Sequence, residues 1–166
     1  NRTSEQRDRE IKKQWSEKTL KFPHPFRYKT VREWDDGLAS VKYTKPDGSR
    51  DLEKNLLPCH YVKAYAFELD EKNVRVCDFD EIAAWCAKNQ IRLYLNLMAE
   101  NVEYADSLVG KELVFLMRRN RDWLVKRYTR PGCTVVDNLE LVNGRDYTDQ
   151  NWTTEHYNLR GRMNVA

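Results

Sequence analysis

The stretch Ile91-Arg92-Leu93-Tyr94-Leu95-Asn96-Leu97-Met98 decides how this chain is read. Ile91, Leu93, Leu95 and Leu97 alternate with Arg92, Tyr94, Asn96 and Met98, which is the period-two pattern of a strand with one firmly buried face. Upstream, Asp78-Phe79-Asp80-Glu81 has the form of a capping box, so a helix is expected to begin there, to use Ile82, Trp85 and Cys86 as its apolar line and to end near Asn89-Gln90. Downstream, residues 101–130 predict helix, with Asn101 as cap and Glu103 in the first turn, where the helix dipole favours an acid. Its core stripe is Ala105, Val109, Leu113, Leu116 and Leu124, Gly110 is the expected break, and Pro131-Gly132 is the stop. Cys133-Thr134-Val135-Val136-Asp137 is a short apolar run of the kind found in buried parallel strands, and Asn158 to Ala166 completes the series as a last helix.

The order from residue 78 onward is therefore helix, strand, helix, strand, loop, helix. Parallel neighbours need long crossovers, and the helices supply them, so the expected class is α/β: a partial flavodoxin-like, three-layer α/β/α arrangement with a parallel sheet. Two strands do not complete such a sheet. A missing amino-terminal half or a partner chain is expected to finish the core.

The first part of the chain is more polar. Residues 4–20 suit a surface helix whose thin apolar line is Ile11 and Trp15, and Phe22-Pro23-His24-Pro25-Phe26 is an aromatic linker that its prolines keep out of regular structure. Asp35-Asp36-Gly37 and Lys45-Pro46-Asp47-Gly48-Ser49 carry turn chemistry, with short flanking strands such as Ser40 to Tyr43, while Tyr61 to Leu69 is strand-like in composition. The expected division is a polar helical and irregular extension over 1–60 and an α/β domain over 61–166.

Composition narrows the function classes. The chain has 166 residues, enough for one domain with a sizeable core, and 40% hydrophobic residues with five Trp and nine Tyr exclude a wholly disordered chain. A net charge of +3 is too small to imply a nucleic-acid partner, and the basic run Arg118, Arg119, Arg121, Lys126, Arg127 and Arg130 reads as a solvated helix face. No apolar run reaches the roughly 18 residues of a membrane span. Cys59, Cys77, Cys86 and Cys133 form no C-x-x-C pair; buried thiols are expected, with two disulfides an alternative, so the redox compartment stays open. Neither a spaced metal-ligand set nor a glycine-rich phosphate loop is present, and no cofactor is implied. Cys59-His60 pairs a thiol with a base in sequence only, since adjacent side chains seldom point together.

The chemistry concentrates near the end, in Trp152-Thr153-Thr154-Glu155-His156-Tyr157-Asn158-Leu159-Arg160-Gly161. Ligands of open α/β sheets bind at the carboxyl ends of the strands, which here brings Asn96, Met98 and Glu100 near Asp137 and Asn138, with the Trp152–His156 loop above them. An imidazole beside carboxylates can serve as base and acid, and its partner is Asp149, Glu155 or Asp137. The bland alternative is that His156 only caps the last helix or packs on Trp152.

Leu93-Tyr94-Leu95-Asn96-Leu97, Val135-Val136-Asp137 and Glu155-His156-Tyr157-Asn158-Leu159-Arg160-Gly161-Arg162-Met163 resemble the carboxyl-terminal half of an SGNH/GDSL-type hydrolase, over roughly residues 78–166. The resemblance implies that His156 is the catalytic histidine, followed by Asn158 and Gly161 in the N-x-x-G-like start of the last helix. Where the family usually has an aspartate three residues before the histidine this chain has Thr153, so Asp149 or Glu155 would orient the imidazole. The family's serine and oxyanion-hole blocks have no counterpart, and the 166 residues alone are expected to be inactive. The implied reaction is ester hydrolysis or acyl transfer, with an O-acetylated envelope sugar as substrate, Asn96, Asp137, Trp152 and Tyr157 as substrate-binding residues, and the cell envelope or periplasm as location. The competing expectation is a non-catalytic α/β binding or scaffold module that uses exposed Trp152, Tyr147 and Tyr157 on a sugar or protein partner.

Overall fold

A computed structural model describes residues 3–149, 152–153 and 156–165. Seven α-helices, a short 3-10 turn (Gly144–Asp146) and two strands are seen among them: α1 (Ser4–Glu17), α2 (Val31–Ala39), α3 (Leu52–Tyr65), α4 (Val74–Lys88), β1 (Leu93–Leu97), α5 (Val102–Leu108), α6 (Lys111–Tyr128), β2 (Cys133–Asp137) and α7 (Leu159–Asn164). The strands form a parallel two-stranded sheet, with Leu93 opposite Cys133 and Leu97 opposite Asp137. The fold is mixed α/β with a small open sheet, and α5 and α6 make the crossover that parallel pairing demands.

The carboxyl-terminal half follows the sequence pattern closely. Asn101 caps α5 by accepting from the Tyr104 amide, and Gly110, at a φ of +122°, separates α5 from α6 in a conformation that side chains with a Cβ rarely adopt. Gly132, at +83°, turns the chain from α6 into β2. The face of β1 differs from the expectation: Leu93, Leu95 and Leu97 are only half-buried, because α4 and α6 cover that side through Ala83, Leu124 and Tyr128 without closing it.

Three upstream expectations are corrected. Helix α4 starts four residues before Asp78, at an Asn73 cap that accepts from the Arg75 and Val76 amides, so the apparent capping box lies inside the helix. The helix buries Val76, Ala83 and Cys86 and leaves Ile82 and Trp85 exposed. Tyr61 to Tyr65, expected as strand, belongs to α3: Asp51 caps it by accepting from the Lys54 amide, and Leu57, Cys59, Tyr61 and Val62 are buried. Asp35-Asp36-Gly37 is helical rather than a turn, and the Tyr28 ring packs where a Cβ on residue 37 would sit. The Lys45–Ser49 turn does form, closed by the Thr44–Arg50 bridge and by the Ser49 amide donating to Asp47.

These corrections join the two halves. The main core cluster combines Val31, Trp34 and Leu38 of α2 and Leu57, Tyr61 and Val62 of α3 with Ala105, Leu113, Leu116 and Met117 of α5 and α6. The division expected between residues 60 and 61 cuts through α3. All four cysteines are free thiols, three of them buried and Cys77 exposed. No helix among the described residues is long and apolar enough to cross a membrane.

Candidate functional site

Beyond the strands, β1 and β2 stay in register for two more bonds: the Asn138 amide donates to the Leu97 carbonyl at 3.1 Å and the Glu100 amide to Leu139 at 3.0 Å. The Asn138 side chain is fully buried and its Nδ2 donates to Asn96 Oδ1 at 2.6 Å, so the two carboxamides tie the strand ends together. Asp137 accepts from Arg121 Nη1 at 3.0 Å and from the Leu139 amide at 3.1 Å. Glu100 accepts from the Tyr65 hydroxyl of α3.

Against this edge folds a strap described at residues 146–149, 152–153 and 156–158. Tyr147 and Tyr157 form an antiparallel bridge with their rings edge-on at 5.4 Å, and the Thr148 amide donates to the His156 carbonyl at 2.9 Å. The Tyr157 hydroxyl donates to the Ala99 carbonyl at 2.9 Å, which pins the residue next to His156 to the chain leaving β1. Asn158 then caps α7, its Oδ1 accepting from the Gly161 amide at 2.9 Å while its Nδ2 donates to the buried Asp146. A Cβ at position 161 would lie 2.8 Å from Tyr157 Cβ and 3.1 Å from Val142 Cγ1, so close packing requires glycine there. The N-x-x-G spacing thus has a local physical cause: an asparagine cap and a glycine contact fix how α7 leaves the strap.

The strap brings His156 and Asp149 together. His156 Nδ1 lies 3.8 Å from Asp149 Oδ2, with the two side chains 67% and 47% exposed, so the pair is loose and open to solvent. Trp152, half exposed, meets the His60 ring of α3 with centroids 4.2 Å apart. The sequence places His60 only beside Cys59; this contact joins residues far apart in sequence, which no local pattern reveals. Burial, then the nearby Lys63 ammonium, lowers the His60 pKa and favours its neutral ring.

The other predicted site residues divide clearly. Asn96 and Asp137 stand at the edge but are already hydrogen-bonded within it, Asn96 to Asn138 and Asp137 to Arg121. Tyr157 is 6% exposed and Tyr147 3%, so these rings build the strap and leave Trp152 as its exposed aromatic. Glu155 lies outside the described residues. Each serine with a described side-chain bond is already engaged: Ser16 with Lys13 and Arg32, Ser40 with Gly37, Ser49 with Asp47 and Ser107 with Tyr104. Among the described residues no group of three or more His, Cys, Asp or Glu side chains converges as for a metal ion.

No protein-family model matches the chain, and no curated protein and no solved structure is significantly similar to it. Function has to be read from its own side chains. What they offer is an exposed imidazole with a carboxylate at its Nδ1, held at the carboxyl edge of a parallel pair by two buried tyrosines.

Proposed function

We propose that this chain is the histidine-bearing part of an SGNH-like esterase, with His156 as general base and acid and Asp149 as the carboxylate that orients it. The observation that carries the reading is the 3.8 Å approach of His156 Nδ1 to Asp149 Oδ2 on a strap anchored to the end of β1. A carboxylate at Nδ1 favours the tautomer that leaves Nε2 able to accept a proton. In the proposed reaction a serine from outside these residues attacks the acyl carbon of an ester while His156 Nε2 takes its proton. The same proton passes to the leaving alcohol, and water then attacks the acyl-enzyme with His156 again as base.

An O-acetylated envelope glycan fits as substrate, because the exposed Trp152 ring offers a sugar-stacking surface on the same strap. Such a substrate would put the protein in the cell envelope or periplasm. The test is hydrolysis of acetyl esters by the protein with its flanking sequence intact. His156→Ala is expected to reduce kcat/KM at least about a hundredfold, and Asp149→Ala to reduce it less. Equal rates for wild type and His156→Ala would overturn the assignment.

The contact between Trp152 and His60 favours a second reading, a non-catalytic glycan-binding module. Saturable binding of an acetylated oligosaccharide without turnover, lost in Trp152→Ala and kept in His156→Ala, would select it.

A further inference from the structure

Helix α1 is polar, but its cations are not scattered. Arg9, Lys12 and Lys13, together with Ile11, Trp15 and Ser16, face Arg32 of α2 and Lys63 of α3 across a cleft of about 670 Å³. That is within the size range of small-molecule sites. Its lining holds five cations and no carboxylate. Among the described residues only Lys63 of the five has an ion-pair partner, Asp35 at 3.6 Å. Gathering like charges around one concavity raises the local potential and attracts a counter-charge.

Two further features separate this cleft from an ordinary basic surface. Arg32 is held in place: its Nη2 donates to Ser16 Oγ at 3.0 Å, and that buried hydroxyl donates to the Lys13 carbonyl at 3.0 Å. A guanidinium has five N–H donors, so others remain for a ligand. Trp15, whose ring also packs against the main core, carries a buried indole N–H with no acceptor. The indole N–H is turned away from solvent, so what Trp15 offers the cleft is the apolar part of its ring.

We propose that this cleft binds a phosphoryl group carried on an apolar or aromatic body. The doubly charged phosphoryl oxygens match the set of Arg9, Lys12, Lys13 and Arg32, whereas a carboxylate supplies one charge and two oxygens. Ile11 and the Trp15 ring give the body an apolar wall. The inference uses no residue of the His156 strap, so it stands or falls separately from the esterase reading.

Calorimetric titration of the whole chain with phenyl phosphate, inorganic phosphate and benzoate tests it. Phenyl phosphate is expected to bind saturably and more tightly than inorganic phosphate, and benzoate much more weakly than either. Lys12 and Lys13 are exposed and hold no side-chain partner among the described residues, so Lys12→Ala/Lys13→Ala should fold normally and weaken phenyl phosphate about tenfold or more. Cosedimentation with phosphatidylcholine vesicles, with and without phosphatidic acid, identifies the source of the group. Phosphatidic-acid-dependent binding that phenyl phosphate displaces points to a lipid headgroup, and its absence beside calorimetric binding points to a soluble phosphate. Benzoate binding as tightly as phenyl phosphate, an unchanged affinity in the double variant, or no saturable binding to either phosphate or vesicle overturns the proposal.

Discussion

At the residue scale, two neighbours in sequence have unrelated fates. Cys59 is 3% exposed, its Sγ lies 3.6 Å from the Asp35 carbonyl, and burial, reinforced by the Asp35 carboxylate, pushes its thiol up to about 11. A thiol held protonated in this way is a poor nucleophile at neutral pH. His60 turns instead to Trp152, which removes the pairing that adjacency suggested. Cys86 and Cys133 are buried as well, whereas Cys77 is exposed on α4. In the native protein at neutral pH, a thiol-disulfide dye should therefore label one cysteine rapidly, found at Cys77 by peptide mass mapping, and the other three only on unfolding. Rapid native labelling of Cys59 would show that its environment is more open and more polar than the packing described.

At the scale of elements, α6 shows both what sequence reveals and what it hides. Its start at Gly110, its stop before Pro131-Gly132 and its stripe through Leu113 and Leu116 were legible because each depends on local chemistry or on period. The role of its arginines was not, because their partners are remote: Arg118 pairs with Glu140 at 2.6 Å, Arg119 with Glu68 at 2.5 Å, Arg121 with Asp137 at 3.0 Å and Arg127 with Asp80 at 2.6 Å. The face read as merely solvated ties α6 to α4, to the chain after α3 and to the chain leaving β2. The starts of α3 and α4 are set locally, by caps at Asp51 and Asn73, but stronger competing signals mask them: the strand-like composition from Tyr61 onward and the more obvious box at Asp78. The candidate site was legible to the extent that His156, Asn158 and Gly161 form a local pattern; the contacts of Trp152 with His60 and of Tyr157 with Ala99 needed the fold. The pairings on α6 have a pH signature. Hydrogen bonds from Arg127 hold Asp80 below its ordinary 3.8, and those from Arg118 hold Glu140 below 4.5. Depressed carboxylates contribute fully above their unfolded-state values and lose that contribution as pH falls through the folded ones. Stability in urea should thus fall as pH drops below about 4.5, modestly because these pairs are partly solvated. Asp80→Asn/Glu140→Gln should lower stability at neutral pH and flatten this acid limb. An acid limb as steep as wild type in the double variant would assign it to other carboxylates.

At the scale of the molecule, the decisive fact is that the polar first part of the chain shares in the main core. Trp34 is 2% exposed and Val31 fully buried, and both pack in the same cluster as Leu113 and Leu116 of α6. Leu57, Tyr61 and Val62 of α3 lie between them, so this layer is continuous from α2 to α6. The sheet cannot replace it. Two strands with half-buried leucines close only a small cluster around Ala83, Tyr128 and Cys133, and an isolated parallel pair has little independent stability. Residues 61–166 expressed alone would expose the buried faces of Leu113, Leu116 and Met117 and lose the first turns of α3, an apolar loss larger than the stability of an ordinary domain can absorb. That fragment is expected to lack near-ultraviolet circular dichroism, to bind a hydrophobic dye and to aggregate, while the full 166 residues unfold cooperatively. Within the full chain, Trp34→Ala should cost about 3–5 kcal/mol, read from urea unfolding with an unchanged denaturant slope. A 61–166 fragment with dispersed amide resonances and a sharp unfolding transition would mean instead that the first sixty residues are an appendage, and that the small sheet with α4 to α7 carries its own core.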